Sequence, residues 1–165
     1  KPDIAVAHYG NANVSIFENI AIQGTIHSSS LSTPFAMSLL SRSVGVVSTD
    51  IDGNGKNDLI VTNYDNGSVS IFRNKHTSGA LTASMFDERV TISTGSLSYL
   101  PSVADIDGDG KIDLIVPNYS SSTVSLIKNI ATVGTISGIS FSPKVDISVS
   151  TPSLAAVTDV DGDGK

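Results

Sequence analysis

Apolar residues along this chain come in short runs, separated by segments rich in Gly, Asn, Asp and Ser. In the middle of the chain this pattern predicts four strands, at 43–49, 58–64, 69–74 and 85–92. The second run, Asp-Leu-Ile-Val-Thr-Asn-Tyr, lacks alternation, which is typical of a strand buried on both faces. The Asp65-Asn66-Gly67 turn predicts a hairpin after it, because Asn and Gly tolerate the positive φ of tight turns.

Composition agrees with an all-β protein, because Val, Ile, Ser and Thr are abundant. The formal charge of −6 argues against nucleic acid as a partner. No apolar run is long enough to span a bilayer and no leader precedes the first strand, so we expect neither membrane insertion nor an export signal in this stretch. Cys is absent, so a secreted form would have no disulfides and would need another stabilising cross-link, such as bound metal.

The pattern repeats with a period of about 55 residues. Residues 1–6 align with 56–61 and with 111–116, which defines units of approximately 1–55, 56–110 and 111–165. Four antiparallel strands per repeat of this length are typical of a propeller blade. We therefore predict an all-β fold, a β-propeller built from four-stranded antiparallel blades, of which three are present. An elongated stack or a pair of β-sandwiches is the alternative.

An acidic motif, Asp-x-Asp-Gly-Asp-Gly-Lys-x-Asp, holds eleven of the fourteen Asp residues. Calcium takes six to eight oxygen ligands, and short carboxylates at positions 1, 3 and 5 of a tight loop can converge on one ion, helped by the carbonyl of position 7 and the acid of position 9. Val61 and Val116 stand in a strand pattern where an EF-hand needs Glu, which argues against an EF-hand. Asp/Gly turns that bind nothing are the alternative. The candidate Ca²⁺ ligands are Asp50, Asp52, Asn54, Lys56 (backbone) and Asp58; Asp105, Asp107, Asp109, Lys111 (backbone) and Asp113; and Asp159, Asp161, Asp163 and Lys165 with Asp3.

This motif, followed by Asp-Leu-Ile-Val, Asn-Tyr and a Val-Ser-Ile-Phe strand, resembles the FG-GAP (VCBS-type) repeat, the blade of integrin α-subunit propellers and of many bacterial surface proteins. The resemblance implies a calcium-loop propeller with ligands at the positions given above. Two features depart from the family: Asn54 replaces an acid, and the Phe-Gly and Gly-Ala-Pro flanks are missing.

The two ends of the sequence are complementary, because it starts and stops at position 7 of a motif. We expect Asp3 to complete the site begun by Asp159, Asp161 and Asp163 of a second copy or an adjoining piece. Two copies joined head to tail would form a six-bladed ring, in which residues 153–158 pair with 3–9. Alternatively, the chain is part of a longer propeller whose other blades supply closure.

The sequence offers no catalytic constellation, since His8, His27 and His76 occupy different repeat positions. We therefore predict no enzyme activity, and instead an extracellular, calcium-stabilised binding or adhesion scaffold for a protein or glycan ligand at a surface. A lectin-like propeller and an accessory propeller of a secreted polysaccharide-active enzyme are the alternatives. Tyr and Asn at the hairpin end suit sugars or peptides, although packing would also explain them. These candidate ligand-binding residues are Tyr9, Asn63, Tyr64, Asn118 and Tyr119.

Overall fold

The computed structural model describes residues 1–162, and within them it contains β-strands and two single-turn 3-10 helices, Ser28–Ser30 and Ala83–Met85. None of the helices in this part of the chain is long and apolar enough to cross a bilayer. The strands form three antiparallel sheets, each a meander in which sequence neighbours pair. The first sheet consists of β1 Ile4–Ala7, β2 Asn13–Phe17 and β3 Phe35–Ser38. The second consists of β4 Val46–Thr49, β5 Asp58–Asn63, β6 Ser68–Phe72 and β7 Val90–Ser93. The third consists of β8 Ser102–Ala104, β9 Asp113–Asn118, β10 Thr123–Ile127 and β11 Val145–Ser148.

The second sheet lies between the other two, and both of its faces are covered. All six residues of β5 are buried, as the continuous apolar run predicts. Leu59 and Val61 pack in a cluster with Val14 and Ile16 of the first sheet. Ile60 packs on the opposite face in a cluster with Leu114 of the third sheet. Alternate residues of one strand therefore contribute to two separate cores.

The hairpin turn after β5 ends at Gly67, whose φ is +58°. A Cβ at this position would lie 2.6 Å from the carbonyl oxygen of Gly95, so both the backbone conformation and the close approach require glycine. The equivalent position in the third sheet holds Ser122, which adopts the same left-handed region at φ +51°. The predicted hairpin is therefore present, and its second copy forms without glycine.

Two predicted strands are shorter than expected. The segment predicted as a strand at 85–92 begins with the Ala83–Met85 helix and a single bridge between Asn74 and Phe86, and only β7 is extended. The segment predicted at 43–49 is a strand only from Val46. At the start of this segment a neighbouring connection lies against Gly45, where a Cβ would be 2.7 Å from the Cα of Leu100.

The outer faces of the first and third sheets are exposed. Ile4 and Val6 on β1 are 45% and 38% exposed, and Val145 and Ile147 on β11 are 63% and 48% exposed. The first sheet has three strands and lacks a counterpart of β4 and β8. Residues 153–158 form no strand. They contact β8 through a hydrogen bond from the Ser102 hydroxyl to the Ala155 carbonyl. The pairing of 153–158 with 3–9 in another copy stays a prediction.

Candidate functional site

The acidic loop between β4 and β5 brings three carboxylates together. Oxygens of Asp50, Asp52 and Asp58 all lie within 4.8 Å of one another. Asp52 is only 3% exposed and Asp58 is completely buried. Three negative groups this close and this poorly hydrated repel one another, so the loop needs positive charge beside it.

Backbone amides hold the first of these carboxylates in place. Asn54 and Gly55 donate their N–H groups to the two oxygens of Asp50, at 3.0 and 2.7 Å. Gly53 and Gly55 adopt φ of +70° and +85°, which turns the amides toward the centre of the loop. The Asn54 side-chain oxygen accepts from the N–H of Lys56 at 3.0 Å. The loop is thus preformed by its own hydrogen bonds.

The loop between β8 and β9 repeats this arrangement in a more exposed setting. Oxygens of Asp105, Asp107 and Asp109 lie within 4.8 Å of one another, and all three residues are exposed. Gly110 donates its N–H to Asp105 at 2.8 Å, as Gly55 does to Asp50. Asp113 does not belong to this cluster, whereas its counterpart Asp58 belongs to the first. The two loops therefore have the same backbone but different carboxylate groupings.

The Asp at position 9 of the motif joins each loop to the neighbouring strands through hydrogen bonds to backbone N–H groups. Asp58 accepts N–H groups from Ile51 at 3.0 Å and from Asn74 at 2.7 Å, one on each oxygen. Asp113 accepts in the same way from residues 106 and 129, and Asp3 accepts from residue 19. A carboxylate oxygen has more than one lone pair, so this role is compatible with binding a cation as well.

Two basic side chains that the sequence analysis did not single out reach these clusters. The Nε of Arg73 donates to Asp52 at 2.5 Å, and its Nη1 donates to Asp87 at 3.1 Å. Lys128 contacts Asp107 and lies 3.0 Å from Asp109. Arg73 and Lys128 occupy the same position of successive repeats, directly after β6 and β10, so the alignment of the repeats could have found them. Each of these two loops therefore has a basic side chain paired with its carboxylates.

These contacts alter proton affinities in both loops. The ion pairs with Asp52 and Asp87 raise the pKa of Arg73, and Lys128 lowers the pKa of Asp109. Burial raises the pKa of Asp58 to about 6, with a further contribution from the neighbouring carboxylates and despite the two backbone N–H groups that act in the opposite direction. Asp58 is thus more easily protonated than an Asp in water.

The raised pKa of Asp58 predicts an unusual pH dependence of the metal-free protein. An Asp with a pKa of about 6 when folded and about 3.9 when unfolded binds its proton more tightly in the folded state. Its contribution to stability is therefore complete below pH ~4 and is lost as the pH rises through ~6, by roughly 2–3 kcal/mol. Urea unfolding in chelator across this range measures the loss, and Asp58→Asn should flatten it.

The pH window isolates this group, because the acids with lowered pKa values, Asp87, Asp109 and Asp146, act below pH ~4 and with the opposite sign. A free energy of unfolding that is constant or increases between pH 4 and 6 in the unsubstituted protein would contradict the prediction.

The residues present fit a hard divalent cation. The donor set of each loop consists of oxygen, with carboxylates at positions 1 and 3, an amide or carboxylate oxygen at position 5 and the carbonyl of Lys56 or Lys111 at position 7. In the third motif, Gly162 donates its N–H to Asp159 at 2.7 Å. The predicted ligands Asp163 and Lys165 lie outside the described residues. The carboxylate clusters found within residues 1–162 do not include Asp3.

The tyrosines form one row at the hairpin end of the sheets, opposite the acidic loops. Tyr9 meets Tyr64 edge to face at 6.1 Å, Tyr64 meets Tyr99 at 5.4 Å and Tyr99 meets Tyr119 at 5.8 Å between ring centroids. The row crosses all three sheets. Tyr99 comes from the connection between β7 and β8 and has no counterpart in the other repeats, so the sequence pattern did not reveal it.

Arg42 joins the first two rings of this row. Its guanidinium lies 4.7 Å from the ring centre of Tyr9 and 5.2 Å from that of Tyr64, donates to the Tyr9 hydroxyl at 2.9 Å and pairs with Asp65 at 2.8 Å. A hydrogen bond with Tyr99 raises the pKa of the Tyr64 hydroxyl. The rings are therefore held by one another and by Arg42, as expected of a brace between sheets.

The two asparagines predicted beside the tyrosines point into the sheets. Asn63 and Asn118 are completely buried. The amide of Asn63 donates to the hydroxyls of Ser68 and Ser70 at 3.0 Å, and the amide of Asn118 donates to Ser125 at 2.8 Å. These amides satisfy buried hydroxyls, and they do not reach a ligand at the surface.

Comparison with known proteins supports the repeat. Residues 50–116 match a family model described as an FG-GAP-like repeat, and this stretch includes both complete acidic loops and the strands β5 to β8. No curated protein sequence and no solved structure matches the chain. The predicted resemblance to the FG-GAP repeat is confirmed over residues 50–116, which match that family model.

Proposed function

We propose that the chain is a calcium-stabilised, non-catalytic binding scaffold that works outside the cell. The observation that carries this proposal is the pair of carboxylate clusters, each within 4.8 Å, in loops that the backbone has preformed. One divalent ion in each loop would offset the repulsion among the carboxylates. Extracellular calcium modules bind their ion with Kd values of about 10⁻⁴–10⁻³ M, which suits such short loops outside the cell.

The ligands would come from corresponding positions of the two loops. In the first loop they are Asp50, Asp52, the side-chain oxygen of Asn54, the carbonyl of Lys56 and Asp58. In the second they are Asp105, Asp107, Asp109, the carbonyl of Lys111 and Asp113. When an ion binds, the basic side chains that contact Asp52 and Asp107 move aside, because a cation and an ammonium or guanidinium cannot share the same oxygens at close range. Calcium would neutralise the carboxylates and link them to one another, and this would stabilise the folded protein.

We further propose that the three sheets are consecutive blades of a propeller. The meander order, the burial of β5 on both faces and the contacts of β4 with both β1 and β8 all favour such an arrangement. In a closed ring, further sheets would cover the apolar residues now exposed on β1 and β11, Ile4, Val6, Val145 and Ile147. Those sheets would come from the rest of a longer protein or from a second copy in a homo-oligomer.

As a scaffold, the protein binds a protein or a glycan at a surface and neither nucleic acid nor a membrane interior. A lectin-like role is the second candidate, and two open clefts between neighbouring sheets favour it. A role as an accessory propeller beside a polysaccharide-active domain would use the same binding surfaces.

Native mass spectrometry in calcium-containing and chelator-containing buffer tests the proposal. We expect two calcium ions for the two described loops, lost with chelator, and one fewer in Asp105→Asn, because removing a position 1 carboxylate weakens one site only. The same spectra count copies of the chain, so a dimer would support ring closure by self-assembly. Absence of specific calcium adducts would refute the calcium proposal.

A further inference from the structure

Two open clefts of similar size lie between neighbouring sheets, beside the connection that follows β6 and β10. The first, between the first and second sheets, has a volume of about 560 Å³ and the second, between the second and third, about 500 Å³. Every residue that lines the first cleft has its repeat counterpart in the second, displaced by one period. The clefts are thus two copies of one feature, and both fall within the size range of ligand sites.

The floor of each cleft is apolar. Phe72, Phe86 and Met37 form it in the first, and each is less than a tenth exposed. Ile127 and Phe141 take the corresponding places in the second and are equally buried. The floors belong to the two cores described above, so they are rigid surfaces that do not depend on ligand for their shape.

The rims are polar and differ between the two copies. Asp87, Glu88 and Arg89 stand around the first cleft, and Arg89 also donates to the carbonyl of Ser38 across it at 3.1 Å. Around the second cleft stand Lys144 and several hydroxyl groups, including that of Ser93. The first rim carries both signs of charge, while the second carries one cation among neutral donors. Both rims carry a cation at the same repeat position, Arg89 and Lys144, but Glu88 stands beside the first and Asp146 pairs with the second.

We propose that the two clefts are repeat-equivalent binding sites for a neutral sugar ring of a glycan. Acids balance the shared cation in each copy, so neither cleft presents the excess charge that would select a simple anion or cation. It needs an apolar side for the floor and several hydroxyls for the rim, where charged side chains make the stronger hydrogen bonds. A pyranose ring has both features, since its C–H groups and its hydroxyls face different directions.

Repetition strengthens this assignment. A single open cleft would hold one sugar ring weakly, but two clefts on one scaffold would engage two rings of a glycan long enough to span them. The second binding event then becomes intramolecular, which raises the avidity by orders of magnitude without new contacts. The inference rests on the proposed role of the chain as a binding module but not on calcium.

Two substitutions would fill the clefts without disturbing the fold. Gly138 lines the second cleft, has no positive φ and has nothing within 4 Å of a Cβ, and Ala83, its exposed repeat counterpart, lines the first. Gly138→Leu and Ala83→Leu therefore place apolar atoms where the sugar would lie. Gly10→Leu is the matched control, because Gly10 is equally unobstructed but lies at the hairpin end.

The experiment is a screen of the full chain on an array of mono- and oligosaccharides, followed by amide chemical-shift titration with the methyl pyranosides of the sugars that bind. We expect shifts around both clefts, around one cleft in each single variant, and at least a tenfold loss of array binding in the double variant. Gly10→Leu should bind like the unsubstituted protein. Melting temperature and calcium response should be unchanged in all variants, which separates this inference from the calcium proposal. Failure to bind any glycan, or binding that survives the double variant, overturns the inference.

Discussion

Calcium is expected to raise the melting temperature of the chain by roughly 10–20 °C. At a hundredfold excess over Kd, each bound ion adds about 2.7 kcal/mol to the free energy of unfolding, and the two described loops would each hold one. For a domain of this length, each kcal/mol corresponds to about 2–4 °C. The effect arises because the unfolded chain cannot gather the carboxylates that the folded loops bring within 4.8 Å. Scanning calorimetry with about 10 mM calcium, and then with excess chelator, measures it.

Variants distinguish the loops from other surface acids. Asp107→Asn removes a carboxylate from the second loop and should cut the calcium-induced rise by about half. Asp65→Asn is the control, since Asp65 pairs with Arg42 at the opposite end of the sheets and should leave the rise intact. Identical melting in calcium and in chelator would rule out a stabilising role for the ion.

Arg73→Gln is expected to destabilise the metal-free protein by about 3 kcal/mol, whereas Lys128→Gln is expected to have little effect. The two residues occupy the same repeat position and both pair with loop carboxylates. The difference is burial: the Asp52 side chain has no exposed area, while Asp107 and Lys128 are each about two-fifths exposed. Removing one partner of a buried pair leaves an uncompensated charge, but an exposed pair is largely replaced by water.

Calcium should reverse most of the Arg73→Gln defect. An ion in the first loop would neutralise the same buried carboxylate, so the variant should need calcium more than the unsubstituted protein does. Urea unfolding of both variants, in chelator and in calcium, gives the four free energies required. Equal stability of Arg73→Gln and Lys128→Gln in chelator would show that Arg73 does not compensate Asp52.

Much of the local structure could be predicted because it repeats. The hairpin at Gly67, the burial of β5 on both faces and the place of the acidic loops between strands follow from patterns within a single unit. The strand boundaries were less predictable, because a neighbouring connection lies against Gly45 and the Ala83–Met85 helix interrupts a segment predicted as a strand. The repeat pattern predicts the structure within each unit, but it does not predict the contacts between neighbouring units.

The amino-acid sequence by itself determined the repeating β-structure and the gathering of carboxylates in the two acidic loops that the structure describes in full, because short-range spacing and turn chemistry are sufficient for these. Only the tertiary structure decided which groups meet. It brought Arg73 to Asp52, placed Tyr99 and Arg42 in the tyrosine row, turned Asn63 inward and opened the clefts between sheets. The tyrosine row and the clefts join residues of different sheets, and their partners are chosen by the packing of whole sheets against one another, which no pattern within a single repeat encodes.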